Sequence, residues 1–583
     1  MHKKTIGILQ KMIAAILFFF IAALGIFAQE ALKSVEEEYY DFLSLSGIVE
    51  RPTLGYRTLS DSQWNFIEYR EMSIDEDGNT TEQTTSTRNS SQNIWQKNNL
   101  GKKYFINGNT RLAWKLFGPD LYMSYNTAAP YGQNDGALWQ GKGFNASFTT
   151  GGRFEAYGVE ITIKPQVSFS QNAEFATISP NSAYSDTKYV GKAALYGYYG
   201  VASVDAPQRF GDSSFFTFDW GDSEIRYTWK TLTIGFGTQS LWLGPAKLNP
   251  IISSNNAASY PKFDIGVRRQ HIVIPKLGWY LGDIELRGWW GCLSESDYFD
   301  NDNTNDFNLI SGFALYYQFP FLKHLTIGFN RTMISKWTNM NAYTLFGIYV
   351  PWDSQKGGVD ESDQRFSFTI DYIMPKAGFE IYFEWARNDH SPNLNYYFRY
   401  PFHTQGWTLG AEKSIIFSRE LKGKLSLEVT FLECSADYDR LINWYSTFYA
   451  HHQILQGYTN RGQWLGAGIG TGGNSQYVGF TLYHKNGNAS IFFQRRNPDL
   501  DYTMFIDSRK YSENYKKGIF TAEGNIRALF DIGISAVYYP IKNLQLYATF
   551  VFEDEHNPLY ESKNGLSAHR INCALSTRVK YNF

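Results

Sequence analysis

Beyond its first 28 residues the chain has no apolar run that approaches the roughly 20 residues a membrane-spanning helix requires. Cysteine is scarce. Cys292, Cys434 and Cys573 are odd in number and far apart, and each sits inside a strand-like run, so neither a disulfide framework nor a thiolate metal site is indicated. Charge of one sign is not in excess: 54 Lys and Arg stand against 56 Asp and Glu, a formal net charge of −2. That balance gives no case for nucleic acid as a partner. Mean hydropathy is only −0.36, so a hydropathy scan alone reads the chain as soluble.

Aromatic residues are abundant instead: 16 Trp, 41 Tyr and 44 Phe make 17% of the sequence. A transmembrane β-barrel exposes only alternate residues to lipid, so its hydropathy averages out while aromatics gather in interfacial girdles. The amino terminus fits export. His2, Lys3, Lys4 and Lys11 precede an apolar run from Met12 to Phe27 that ends at Ala28, the plan of a secretory signal over residues 1–28. Residues 29–72 differ from the rest. Ser34 and Glu37 form a capping box, Val35, Tyr39, Phe42 and Leu43 recur at helical spacing, and Gly47 is a stop signal. A second short helix is expected near Ser60-Asp61, giving a small periplasmic helical element against or inside the barrel mouth. Residues 73–103, polar and rich in Thr, Ser and Asn, read as a linker.

From Tyr104 to the end the period is two. In the last segment Ile571, Cys573, Leu575, Thr577, Val579, Tyr581 and Phe583 alternate with Asn572, Ala574, Ser576, Arg578, Lys580 and Asn582. One apolar face and one polar face separate lipid from a wet lumen. Tight turns, as at Tyr538–Leu544 and Ile274–Trp279, alternate with long polar stretches such as 294–306 and 435–463. The expectation is an all-β fold: a transmembrane antiparallel β-barrel over residues 104–583 with roughly 18 strands, short periplasmic turns and long outer loops.

Strings that suggest chemistry lack their context. Gly468 to Gly473 match a dinucleotide fingerprint without a βαβ unit. Gly211-Asp212-Ser213 and Gly221-Asp222-Ser223 have no downstream acid–histidine partner. His451-His452 and the acidic stretches 75–79 and 300–306 lack ligand spacing for a metal. No catalytic residue, metal or cofactor is expected.

Three stretches combine aromatics, amides and glycine in a way that suits sugars, whose C–H faces stack on rings and whose hydroxyls accept forked amide or carboxylate bonds. They are 125–143 (with Asn134, Asp135 and Trp139), 242–261 (Trp242-Leu243-Gly244-Pro245, then Asn255 and Asn256) and 449–470 (Tyr458, Arg461 and Trp464). On composition alone, glycine kinks and Asn turn caps explain them equally well. These three blocks, with Asp205 to Gly211 and Phe218 to Gly221 between them, resemble the Wzi-type capsule-assembly family of outer-membrane proteins. The resemblance implies an 18-stranded barrel with periplasmic helices in the outer membrane of a diderm bacterium. It also implies a lectin-like, non-enzymatic role with surface polysaccharide or glycolipid as partner, alongside outer-membrane lipid and the barrel-insertion machinery. Asn134, Asp135, Trp139, Trp242, Asn255, Asn256, Tyr458, Arg461 and Trp464 are its candidate carbohydrate contacts. The alternative is a porin or solute channel, with Arg268-Arg269, Arg495-Arg496, Arg578 and Lys580 as basic walls.

Overall fold

Side chains in the last strand are buried in the opposite sense from those of a soluble protein. Ile571, Leu575 and Val579 are 49%, 51% and 41% exposed, whereas Asn572 and Lys580 are 0% and 1% exposed. Apolar residues facing out and charged residues facing in require lipid outside and a polar lumen inside. In the computed structural model this inversion runs around a closed wall. The structure describes residues 34–583 except 75–79, 88–91, 99–103, 107–108, 179–203, 301, 350–361, 389–393, 400–401, 403, 434–447, 452, 499–526, 560–561 and 564–565. The signal segment 1–28 and Cys434 lie outside the described residues.

The wall has 18 antiparallel strands. They are β1 (Asn109–Asn126), β2 (Gly143–Ala156), β3 (Val159–Ile163 continued by Gln166–Ser170), β4 (Phe215–Asp219 continued by Glu224–Trp229), β5 (Leu232–Gly237) and β6 (Lys262–Ile274). β7 (Trp279–Ser294), β8 (Phe307–Gln318), β9 (Leu325–Lys336), β10 (Ser362–Met374), β11 (Phe379–Asn388) and β12 (Gln405–Ile416) follow. β13 (Leu421–Phe431), β14 (Asn474–His484), β15 (Gly487–Asn497), β16 (Ala528–Ile541), β17 (Leu544–His556) and β18 (His569–Tyr581) complete it. β18 returns to β1 with Ala574 opposite Asn126 and Lys580 opposite Asp120, so the sheet has no open edge there. Proline explains one break: Pro165 has no amide to donate between the two halves of β3. Tight turns join the strands at one end and long segments join them at the other, as the sequence pattern predicts.

The amino-terminal segment lies within the wall at the tight-turn end. It holds one helix, α1 (Val35–Ser44), capped by the Ser34 side chain, which accepts from the Glu37 amide at 3.0 Å. The reciprocal half of the expected capping box is not made. The Glu37 carboxylate instead accepts from the Trp64 indole at 2.7 Å. Tyr39 stacks on Trp95 with ring centroids 4.1 Å apart, and Phe42 stacks on Tyr483 of β14 at 4.4 Å. Gly47 takes φ +66, the left-handed conformation that ends the helix without a β-carbon penalty.

Two expectations for this region are corrected. Residues 60–61 form a turn rather than a second helix, because Thr58 and Asp61 bond to each other at 3.0 Å and close the chain locally. A hairpin, Glu68–Ile74 paired with Thr80–Ser86, runs from the end of the segment read as helical (29–72) into the stretch read as a linker (73–103), where the threonine run favours extended chain. The same stretch supplies Trp95, one of the most deeply buried side chains.

Candidate functional site

The lumen is filled from both ends. Inward carboxylates of the wall receive backbone amides of the filling segments, which satisfies donors that would otherwise be buried unpaired. Glu285 of β7 accepts from Leu54 and Gly55 at 2.8 and 3.0 Å. Glu384 of β11 accepts from Ile251 at 2.9 Å. Glu428 of β13 accepts from Lys247, Leu248 and Asn249 at 2.7, 3.0 and 2.7 Å, and from the Tyr382 hydroxyl at 2.8 Å. Arg51 bridges Asp41, Asp371 and Glu380 at 2.7, 3.0 and 2.7 Å, and Lys247 reaches Asp41 at 2.7 Å. The amino-terminal segment and the loop 238–261 therefore meet inside the barrel, where Tyr56 and Arg57 pair with Leu243 and Trp242. A β-carbon on Gly55 would overlap the Tyr316 ring, so close packing demands glycine there.

Three of the arginines proposed as the basic wall of a channel are held in ion pairs. Arg268 pairs with Asp61 and Glu160 at 2.8 and 3.0 Å. Arg269 pairs with Asp283 at 2.7 Å, and Arg496 with Asp531 and Glu553 at 2.9 and 2.6 Å. Beside the plug lies a polar chamber of about 560 Å³, lined among others by Glu38, Tyr122, Asp135, Tyr477, Arg496 and Arg578.

The three aromatic-amide blocks lie at the long-loop end and are stitched to one another. The Asn134 amide donates to the Asn256 side chain at 3.1 Å, and the Asn134 side chain donates to the Leu248 carbonyl at 3.0 Å. Gly136 donates to the Asn255 carbonyl at 2.8 Å. The Asn256 side chain then donates to the Trp464 carbonyl at 3.1 Å, and the Ser254 amide to the Leu465 carbonyl at 2.9 Å. Asn134 and Arg461 both hold positive φ, 61° and 48°, at sharp loop corners.

Roles within the blocks divide sharply. Trp242 is 1% exposed; its indole donates to the Ala246 carbonyl at 2.9 Å and its ring lies 5.3 Å from the Arg57 guanidinium. Tyr458 is also 1% exposed, donates to the Ile252 carbonyl at 2.9 Å and lies 4.3 Å beneath Arg365 of β10. Both expected sugar contacts are instead core of the plug, because ring size and a polar tip suit a buried anchor as well as a sugar platform. Asn256 is committed to the stitches. Asp135 accepts from Gln140 at 2.7 Å, and burial pushes its carboxyl up to about 6. Trp464 is half-buried and stacks on Tyr449 at 5.8 Å.

Arg461 is exposed, and Trp139 is half-buried. The Trp139 ring packs on Phe210 at 4.8 Å, and Phe210 packs on Tyr298 at 5.8 Å. Gly462, next to Arg461, sits so close to Pro207 and Phe210 that a β-carbon would lie 2.9–3.1 Å from them. The Arg461 side chain is 46% exposed and 3.4 Å from Asp219. The result is an aromatic ledge with a guanidinium at its edge. The Trp139 indole nitrogen and the side-chain oxygens of Asn134 and Asn255 have no hydrogen-bond partner among the described residues. Sequence reasoning missed Tyr298, which sits in an acidic loop with no pattern of its own, and passed over Phe210 inside a stretch it had marked.

Beneath the ledge, Asp205 accepts from the Ser296 amide and hydroxyl, both at 2.6 Å. Burial pushes its carboxyl up to about 7. His451, read from the sequence as polar surface, is buried and accepts from the Ile454 amide at 3.1 Å, capping a turn; His452 lies outside the described residues. The glycine run 468–473 lies within the same long-loop segment, with Gly470 and Gly472 at positive φ.

The family model for the capsule assembly protein Wzi matches residues 119–566. The chain belongs to this family. Its barrel is also similar to the Escherichia coli Wzi structure, at 11% identity and a TM-score of 0.57, covering 96% of this chain and 100% of that one. That structure is described as an outer-membrane protein involved in group 1 capsule assembly and a carbohydrate-binding β-barrel. Two Acinetobacter baumannii structures, OccAB4 and OccAB2, match at 9% and 10% identity with TM-scores of 0.37, covering 82% and 80% of this chain and 100% and 98% of theirs. No curated protein matches the sequence. As a Wzi-family barrel the chain is an outer-membrane protein, with its wall in lipid and its plug in the lumen.

Proposed function

We propose that this Wzi-family barrel binds surface polysaccharide at its long-loop end and organises it at the outer membrane without catalysing a reaction. The observation that carries this reading is that the three loop blocks are stitched to one another within the lumen, and one of them contributes Trp139 to a ledge completed by Phe210 and Tyr298 of neighbouring loops. A wall whose inward charges are spent on holding a plug suits a scaffold better than a conduit. Short turns lie on the periplasmic side of outer-membrane barrels and long loops outside. This orientation places α1 in the periplasm-facing mouth and the ledge at the cell surface. Trp139 offers a ring face to sugar C–H groups, and Arg461 offers a fork to a uronate or other acidic substituent. Accessible glycolipid headgroups share that chemistry.

Purified barrel tested on a glycan array and by pull-down with surface polysaccharide separates the readings. Trp139→Ala and Arg461→Ala should each weaken retention several-fold while the folded, heat-modifiable band on a gel persists. Equal retention by wild type and both variants removes this ledge as the site. Steady large openings of wild-type protein in a planar bilayer would favour the channel reading instead.

A further inference from the structure

The last hairpin of the barrel ends in a cluster that the plug and ledge do not use. Alternation along β17 turns Phe550, Phe552, Asp554 and His556 outward, and on β18 turns His569 and Ile571 outward. Register sets His556 directly opposite His569, with Asp554 two residues earlier on the same face. The imidazole centroids stand 4.1 Å apart. Asp554 Oδ1 lies 3.1 Å from His569 Nδ1, and Oδ2 lies 3.4 Å from His556 Nε2. One ligand atom from each of the three residues falls within 4.8 Å of the others.

Ligands about 2.0–2.1 Å from a tetrahedral zinc ion stand roughly 3.3 Å from one another; the two Asp–His distances, 3.1 and 3.4 Å, match that, and one ligand atom from each of the three residues lies within 4.8 Å of the others. Two imidazoles and a carboxylate suit zinc, copper or nickel, whereas calcium and magnesium take oxygen ligands. We propose that Asp554, His556 and His569 form a binding site for a divalent transition-metal ion, with zinc the reference ion, at the outer-loop rim of the barrel. The side chains are 31%, 33% and 47% exposed, so water reaches the remaining coordination position. Because the ligands sit on adjacent strands whose spacing the ladder fixes, the site needs little rearrangement to bind. An ion there clips the long-loop end of β17 to the closing strand β18.

The other acidic cluster, Asp41, Glu380 and Glu412 inside the plug, differs in kind. Arg51 and Lys247 reach Asp41 at 2.7 Å, and Lys424 reaches Glu412 at 3.0 Å, so cationic side chains already stand where an ion would. No such cation is paired with Asp554 among the described residues, where its ionic partners are the two histidines.

The test is calorimetric titration of untagged, EDTA-treated barrel in detergent with Zn²⁺, with gel heat-modifiability confirming that each variant is folded. Wild type should bind one ion, and His556→Ala and His569→Ala should each lower affinity at least about tenfold. Asp554→Asn, which keeps the shape but loses the charge, should weaken binding less. The proposal is overturned if wild type binds no Zn²⁺ at micromolar concentration, or if either histidine variant binds as tightly as wild type.

Discussion

The backbone amide of Asn134 donates to the side-chain oxygen of Asn256, 3.1 Å away across 122 residues of sequence. The same Asn256 side chain donates to the Trp464 carbonyl, so one carboxamide joins three loops. Removing it orphans an enclosed donor and an enclosed acceptor, each worth about 1–3 kcal/mol. In Asn256→Ala the wall should stay intact while the loops loosen. Limited trypsin digestion should then cut after Lys142 several-fold faster than in wild type. An unchanged cutting rate would show that the stitch does not hold the loop.

Glu428 holds the turn of Lys247, Leu248 and Asn249 by their amides and accepts from Tyr382 as well. Leucine in its place fills similar volume but accepts nothing, leaving those donors unpaired in the lumen. Wild type should be silent in planar bilayers, Glu428→Leu should show resolved openings, and Glu428→Gln should fall between. Silence in all three would mean that the remaining anchors hold the plug unaided.

The wall was legible in the sequence because lipid on one side and a polar lumen on the other enforce a period of two, visible from Ile571 to Tyr581. Turn positions followed from the same rhythm. The membership of the site was legible only in part. The three blocks were recognised as a group, and they do meet, but local sequence could not tell a ring that faces water from one that anchors a plug. Trp242 and Trp139 look alike as letters; the first is sealed by Arg57 and the Ala246 carbonyl, the second is half-buried against Phe210. The His556–His569 pair was invisible for a related reason, since its spacing of thirteen residues becomes contact only through the register of β17 on β18.

This division yields opposite phenotypes for two tryptophans. Trp242→Ala empties a fully buried site and should cost about 3–5 kcal/mol, seen as a lower unfolding temperature in detergent. Trp139→Ala should leave that temperature within a degree or two and reduce polysaccharide retention. If Trp139→Ala unfolds as early as Trp242→Ala, the ledge is core and not a contact surface.

Protonation should tighten the plug and its loops. Burial pushes the carboxyls of Glu37 and Asp205 up to about 7 and that of Asp135 up to about 6, whereas each titrates near 4 in an unfolded chain. For such groups the folded state binds the proton more strongly, so the stabilisation is complete below pH about 4 and is lost as pH rises through 6 to 7. Asp41 acts in the opposite direction: burial alone would raise it, but Arg51 and Lys247 hold its carboxyl well below the usual range. Its contribution is lost only in strong acid, outside the window from pH 5 to 8. Thermal unfolding of the wild-type barrel should therefore occur at a higher temperature at pH 5.5 than at pH 8. Asp205→Asn keeps an oxygen for the Ser296 amide and carries no charge, so it should raise the value at pH 8, leave it nearly unchanged at pH 5.5 and flatten the profile. A wild-type profile that is flat over this range, or a steeper one in Asp205→Asn, would mean that these carboxyls do not govern the stability of the plug.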